Sequence, residues 1–247
     1  MSRILIVTGA SAGIGAATAR MGAQKGYERI VVHYGRDRDG AEAVAADIRA
    51  AGSEAFVMQA DVSDMQALAA MFAEVAKLSP GPIYLVNNAG IVAPKAGIAD
   101  LTPERVRKVF EVNVFGAIEV CRLAVLQMRA WGQGGGIVNI SSVAARLGAP
   151  GEYTDYAASK GAIDSLTTGL ADELAPEGIR VNCLRPGPIE TGIHAKGGQP
   201  DRLLTMGSKI PLGRAGTAEE IAAAALWLLS DEASYVTKGF LDVSGGR

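Results

Sequence analysis

Apolar runs of strand length alternate with longer segments of helical period along the whole chain, and this alternation restricts the fold more than any other feature. A strand followed by a helix that packs back on it builds a parallel sheet covered on both faces. The runs predict seven strands, near 3–8, 29–34, 54–59, 82–87, 136–141, 179–184 and 239–243. Helices are expected near 13–25, 39–51, 64–78, 103–130, 155–175 and 217–229. Ile4 to Val7 and Ile137 to Ile140 are apolar without alternation, as strands buried on both faces are. The expected architecture is α/β and doubly wound, with a seven-stranded parallel sheet. A single domain spanning 1–247 is expected, because no linker, repeat or charge block marks a boundary. One long irregular stretch, about 186–212, holds four prolines, and a loop of that length is expected to contact the substrate.

Charge excludes some partners. The chain has 24 Lys and Arg against 26 Asp and Glu, a net charge of −2, so no polyanion-binding surface and no nucleic acid are expected. Two cysteines, Cys121 and Cys183, both in apolar surroundings, make a disulfide framework improbable. No apolar run reaches the roughly 18 residues of a membrane helix. A cytoplasmic protein without membrane contact is expected. His33 and His194 belong to no ligand pattern, so no metal is read.

After the first strand comes Thr8-Gly9-Ala10-Ser11-Ala12-Gly13-Ile14-Gly15, a glycine-rich turn that opens a helix. Such a turn lets a pyrophosphate approach the free N–H groups and positive end of the helix dipole. The alternative is an ordinary tight strand-to-helix turn. Tyr156 and Lys160 stand four apart and share one helical face, which Ile163, Leu166, Leu170 and Leu174 continue. An ammonium near a phenol favours phenolate and lowers its pKa from about 10, bringing proton exchange toward neutrality. A half-exposed helix pair is the plainer reading of the same spacing. Asn113 falls on the apolar stripe of helix 103–130, where a buried amide must find partners, either by bending or capping a neighbour or by serving a site. Ser141 and Ser142 end the fifth strand, on the side where open parallel sheets bind ligands.

The glycine turn, Asn87-Asn88-Ala89-Gly90, Ser141-Ser142, Tyr156 with Lys160, and Pro186-Gly187-Pro188-Ile189-Glu190-Thr191 occur in the order of the short-chain dehydrogenase/reductase family, which the chain resembles over essentially its full length. The resemblance implies a Rossmann fold and hydride transfer between a nicotinamide and a carbonyl or secondary alcohol of a small molecule. It implies Tyr156 as acid/base, Lys160 lowering its pKa and positioning ribose, and Asn113 holding a water in the proton relay. Ser142 would polarise the substrate oxygen, since Val143-Ala144-Ala145 matches the residues after the family's catalytic serine. The family spacing of 13 would land on Val143, so one inserted residue is inferred within 147–155 and Ser141 is the fallback. Tyr153 is set aside because Ala157 stands four residues later.

By the same resemblance, cofactor contacts fall on Gly9, Ser11, Gly13, Ile14, Gly15, Tyr34, Arg36, Asp61, Val62, Asn88, Ala89, Gly90, Tyr156, Lys160, Pro186, Gly187, Ile189 and Thr191. Gly35 occupies the place of the Asp of NAD-preferring relatives and Arg36 follows it, so NADP(H) is expected over NAD(H). The alternative places Arg36 and Arg38 in a solvated turn with Asp37 and Asp39; Ala12, where many NADP-dependent relatives are basic, speaks against NADP. The substrate wall is expected from 92–98, 143–153 and 188–212, with Arg146, Glu152, His194 and Lys196 as its polar groups. Two rivals stay open: a 3-oxoacyl-carrier-protein reductase, against which Asp172 stands where a basic residue would meet the carrier, and a non-catalytic NADP-binding regulator. Family likeness further implies a homotetramer, with a dimer as the alternative, and places Asp242 to Arg247 at an interface.

Overall fold

The computed structural model describes residues 2–192, 197–199, 201, 203 and 210–247. His194 and Lys196 lie outside the described residues, as does much of 193–209. Seven strands form one parallel sheet: β1 (Ile4–Val7), β2 (Arg29–Tyr34), β3 (Glu54–Gln59), β4 (Ile83–Asn87), β5 (Gly135–Ile140), β6 (Ile179–Pro186) and β7 (Phe240–Val243). Their order is β3-β2-β1-β4-β5-β6-β7, so the sheet is parallel and doubly wound, the class that the alternation predicts. Among the described residues the helices are α1 (Gly13–Gln24), α2 (Arg38–Ala50), α3 (Met65–Val75), α4 (Pro103–Phe110), α5 (Ala117–Trp131), α6 (Ala144–Leu147), α7 (Thr154–Leu174) and α8 (Ala218–Leu229).

Two apolar layers flank the sheet. Val7, Val32, Ala41, Val44, Ile221 and Leu226 pack on one face under α1, α2 and α8. Ile6, Leu68, Phe72, Val120, Met128, Ile137 and Leu174 pack on the other under α3, α5 and α7. β1 pairs with β2 on one side and β4 on the other, so the winding reverses beside β1 and the turns after β1 and β4 part to leave a crevice.

The helix expected over 103–130 is interrupted. Between α4 and α5, Glu111–Gly116 is π-helical, and Asn113 sits in it, 1% exposed. Helical periodicity placed Asn113 on the buried stripe correctly but carried no signal of the wider turn. The short helix α6, within the span expected as loop, also went unseen: its four residues are too few for a periodic pattern. On α7 the buried stripe runs through Lys160, Ile163, Thr167, Ala171 and Leu174, while Leu166 and Leu170 are only partly buried beside it.

A buried polar chain crosses the second layer. Asn87 Nδ2 donates to the Ala117 carbonyl at 3.0 Å and to Asn139 Oδ1 at 3.1 Å, and Asn139 Nδ2 donates to Thr167 Oγ1 at 3.0 Å. These bonds tie β4, β5, α5 and α7 together behind the crevice. Replacing Asn139 by Leu removes a buried acceptor from Asn87 and a donor from Thr167, and a loss of about 1–3 kcal/mol in unfolding free energy is expected from urea denaturation.

Candidate functional site

The ends of β1, β4, β5 and β6 open into a cavity of about 790 Å³, large enough for a dinucleotide and a small substrate. At one end lies the glycine turn, with Gly9, Ser11, Gly13 and Ile14 in its wall. Gly15 does not line it. A Cβ at Gly15 would collide with the Gly9 carbonyl and stand 2.8 Å from Asn88 Nδ2, so its glycine is needed for the turn to close on itself. Thr8 completes the stitch: its Oγ1 accepts from the N–H groups of Asn88 at 2.9 Å and Ala89 at 3.0 Å, while Asn88 Nδ2 donates to the Thr8 carbonyl at 2.8 Å. The two motifs are thus one unit.

His33, read from the sequence only as a non-ligand, braces this unit from below. Its Nδ1 accepts the Gly9 N–H at 3.0 Å and its Nε2 donates to the Ala60 carbonyl at 3.0 Å. Burial at 1% exposure lowers its pKa to about 4. The two partners leave room for only the neutral Nε2–H tautomer. Alternating strand periodicity gave no hint of this, since His33 occupies an ordinary strand position.

At the other end are Ser142, Tyr156 and Lys160, with Ser141 in the same wall. Ser141 is 2% exposed and its hydroxyl donates to the Lys160 carbonyl at 3.0 Å, a bond within the scaffold. Ser142 Oγ accepts from Ala144 N at 3.1 Å and lies against the Tyr156 phenol. Between Ser142 and Tyr156 the chain turns with Gly148, Ala149 and Gly151 all at positive φ, 72°, 44° and 69°. Lys160 is 5% exposed, its Nζ lies 5.7 Å from the Tyr156 ring centroid and donates to the Ile140 carbonyl at 2.8 Å.

The protonation states differ from the sequence expectation. Desolvation pushes the Tyr156 phenol above its ordinary value, against a smaller opposing contribution from Ser142. Burial likewise pulls Lys160 down to about 8, against Cys183 and Asp164, which raise it. Burial decides the direction for Tyr156, and Ser142 is the group that opposes it. The phenol is protonated at neutral pH, the form that can donate a proton.

Asn113 stands behind this group. Its Oδ1 accepts the Ile91 N–H at 2.8 Å, and its Nδ2 donates to the Ile91 carbonyl at 2.9 Å and to Ser159 Oγ at 3.1 Å. Ala89, Gly90, Pro186, Gly187, Ile189 and Thr191 line the cavity between its two ends, and the Thr191 side chain packs over Gly13. Tyr34, Arg36, Asp61 and Val62 do not line it; they cluster beyond it at the ends of β2 and β3. Arg36 is exposed, and Asp61 Oδ1 accepts from Ser63 N at 2.9 Å and Ser63 Oγ at 2.6 Å, which with lesser help from Lys108 and Arg36 lowers its pKa. Of the expected polar groups of the substrate wall, Glu152 is present, joined by Tyr153. Arg146 is not among the lining residues; its guanidinium pairs with Asp242 on β7. Asp172 is paired with Lys238 at 2.7 Å, so its charge is partly offset at the surface.

The family described as Enoyl-(Acyl carrier protein) reductase, with the short-chain dehydrogenase signature, matches residues 9–247. The chain belongs to the short-chain dehydrogenase/reductase family. It is 52% identical over 246 residues to an uncharacterised oxidoreductase, YgfF, of Escherichia coli K12, covering 99% of each chain. It is 36% identical to L-rhamnose 1-dehydrogenase (NAD(P)(+)) of Sphingomonas sp. SKA58, covering 99% of this chain and 95% of that one. Acetoin dehydrogenase YohF from Salmonella typhimurium superposes with a TM-score of 0.86 at 33% identity, over 100% of this chain and 97% of that one. The protein is accordingly an oxidoreductase of alcohols and carbonyls that works with NAD(P)(H). Among the described residues no helix is long and apolar enough to cross a membrane, and no cluster of side chains suits a metal ion.

In this short-chain dehydrogenase the buried neutral His33 has a measurable consequence. Its pKa is about 4 folded against 6.5 unfolded, so the unfolded chain binds the extra proton between these values and stability falls as pH drops through that window. A loss of about 2 kcal/mol between pH 7 and pH 5 is expected from this group, read from urea melts at both pH values; a His33→Asn variant should lack that increment.

Proposed function

We propose that the chain is an NADP(H)-preferring carbonyl reductase and alcohol dehydrogenase for a small molecule, with Tyr156 as acid/base. One observation carries this: Ser142, Tyr156 and Lys160 share one end of a cavity whose other end is a glycine turn shaped for a pyrophosphate. When bound, the nicotinamide supplies or accepts the hydride. The residues do the rest. Ser142 Oγ and the Tyr156 hydroxyl hold the substrate oxygen from one side, and the protonated phenol donates to that oxygen as a carbonyl is reduced. In the oxidative direction the alcohol gives its proton to Tyr156 in the phenolate form that reduction leaves behind. Lys160 places an amine beside the phenol, Asn113 holds the Ile91 backbone and the Ser159 turn in place, and the widened π-turn around Asn113 supports a water-held relay behind Lys160. Ile189 and Thr191 suit the carboxamide side of the nicotinamide. Arg36, exposed beside Asp61 at the end of β2, suits a 2′-phosphate, as Gly35 offers no carboxylate to repel one.

The single domain, with a substrate loop about 186–212, is part of this reading, as are a cytoplasmic location and a homotetramer. Exposed Phe115, Ile118 and Leu126 on the α4–α5 side and Leu241 on β7 support the last. Light scattering of the purified protein decides it, and a monomer at micromolar concentration would oppose it.

The catalytic reading is tested with a panel of acetoin, butane-2,3-dione, L-rhamnose, L-rhamnonolactone and an acetoacetyl thioester, following NADPH formation or consumption. Turnover of one small carbonyl or alcohol is expected, with Tyr156→Phe lowering kcat at least about 100-fold while NADPH binding by fluorescence is retained. Binding without turnover on any member would favour the regulatory protein. Arg36→Leu should raise the KM for NADPH about tenfold or more, with that for NADH nearly unchanged.

A further inference from the structure

Asp155 immediately precedes Tyr156 in the first turn of α7, and its side chain is 1% exposed. It is paired with Arg105, whose side chain is 15% exposed. The guanidinium forks over the carboxylate, Nε to Oδ2 at 2.7 Å and Nη2 to Oδ1 at 3.2 Å. Its remaining nitrogen, Nη1, donates to the carbonyl of Pro94. Arg105 is itself fixed, since its N–H is held at 3.2 Å by Thr102 Oγ1, the cap of α4. One side chain thus joins α4, the turn that carries Tyr156, and the segment 91–97.

That segment is a wall of the substrate end, where Ile91 and Val92 line the cavity. It has no helix or strand across Ile91 to Gly97 and is held at three points. Asn113 holds the Ile91 backbone, Arg105 holds the Pro94 carbonyl, and the Glu152 carbonyl accepts the Ala96 N–H at 3.0 Å. The start of α7 is equally in need of fixing. Tyr153 at its N-cap makes no side-chain capping bond, and the Thr154 hydroxyl is buried without a hydrogen-bond partner among the described residues. Asp155 stands in that turn with the backbone N–H groups of Tyr156 and Asp155 near its carboxylate, and the two bonds from Arg105 tie it down. Burial works to raise its pKa, yet Arg105 and these N–H groups hold it below the usual carboxylate range.

We propose that Arg105 and Asp155 are positioning residues that lock the Tyr156 turn to the 91–97 wall, so that the phenol and the substrate are held in one register. The proposal rests on the reading of Tyr156 as acid/base. Neither residue faces the cavity; both act through what they hold. A lysine at 105 keeps a charge for Asp155 but has no planar fork to reach Pro94 as well.

The test uses Arg105→Lys, Arg105→Ala and Asp155→Asn in the full chain, with Arg180→Ala as a stability control. Arg180 bonds the carbonyls of Leu228, Val236 and Ser230 and lies at the opposite end of the sheet from the site. Kinetics use whichever carbonyl of the panel above the wild type reduces. Arg105→Lys is expected to raise its KM about tenfold with kcat within about threefold, and Arg105→Ala to lower kcat about tenfold or more as well. The NADPH dissociation constant should stay within about twofold in each, and Arg180→Ala should lower Tm while leaving KM and kcat alone. A second readout needs no substrate: the protein is labelled with 3-fluorotyrosine, and the Tyr156 fluorine resonance is assigned by its loss in Tyr156→Phe. That resonance should shift or broaden in Arg105→Lys and Asp155→Asn and stay in place in Arg180→Ala. An unmoved Tyr156 resonance in folded variants, or a KM change matched by an equal loss of NADPH affinity, would overturn the proposal. If the wild type reduces nothing in the panel, the acid/base reading fails, and the fluorine spectrum still decides whether Arg105 and Asp155 position the phenol.

Discussion

The contact between Gly15 and the Gly9 carbonyl sets the geometry on which the site is built. Because no side chain stands at Gly15, the first turn of α1 closes onto the end of β1, and Asn88 Nδ2 reaches the carbonyls of Thr8 and Gly9 at 2.8 and 3.3 Å. Thr8 returns the bond to Asn88 and Ala89, and His33 holds Gly9 from the next strand. A larger residue at 15 would part these two loops, and the crevice at the winding reversal would lose its floor. Parallel strands make this possible, since all their carboxyl ends emerge on one edge and four successive turns can share one cavity.

Desolvation governs the chemistry of the other end. A lysine amine with a strand carbonyl as its near partner, and a phenol beside it, are both driven toward their neutral forms. The amine at about 8 keeps much of its charge at neutral pH, while the phenol keeps its proton. Such a pair is set to give a proton to a developing alkoxide, and the balance in the opposite direction depends on charges that binding brings in. Helical spacing put the two side chains on one face, but spacing does not report burial, and burial raises the tyrosine pKa.

Much of the site was legible in the sequence. The glycine turn, the Asn88 to Gly90 loop, Ser142, Tyr156, Lys160 and the Pro186 to Thr191 segment converge because each lies just past a strand or on the helix after one, and strand ends were readable from apolar runs. The residues that stayed hidden share a different character. His33, Thr8, Arg105 and Asp155 act through partners 11 to 81 residues away along the chain. Arg146 shows the converse: its position in sequence put it at the substrate wall, and a partner on β7 drew it elsewhere.

Hydrophobic alternation by itself determined the class of fold, the number and sequence positions of the strands, and which helices carry the chemical groups, because burial of apolar faces is a local, periodic demand. Strand order, the π-turn at Asn113, the commitment of the Ser141 hydroxyl to the Lys160 carbonyl and the fork of Arg105 between Asp155 and Pro94 were decided only in three dimensions. Each of these depends on which distant groups satisfy a buried donor or acceptor, and that pairing exists only once the chain has closed around it.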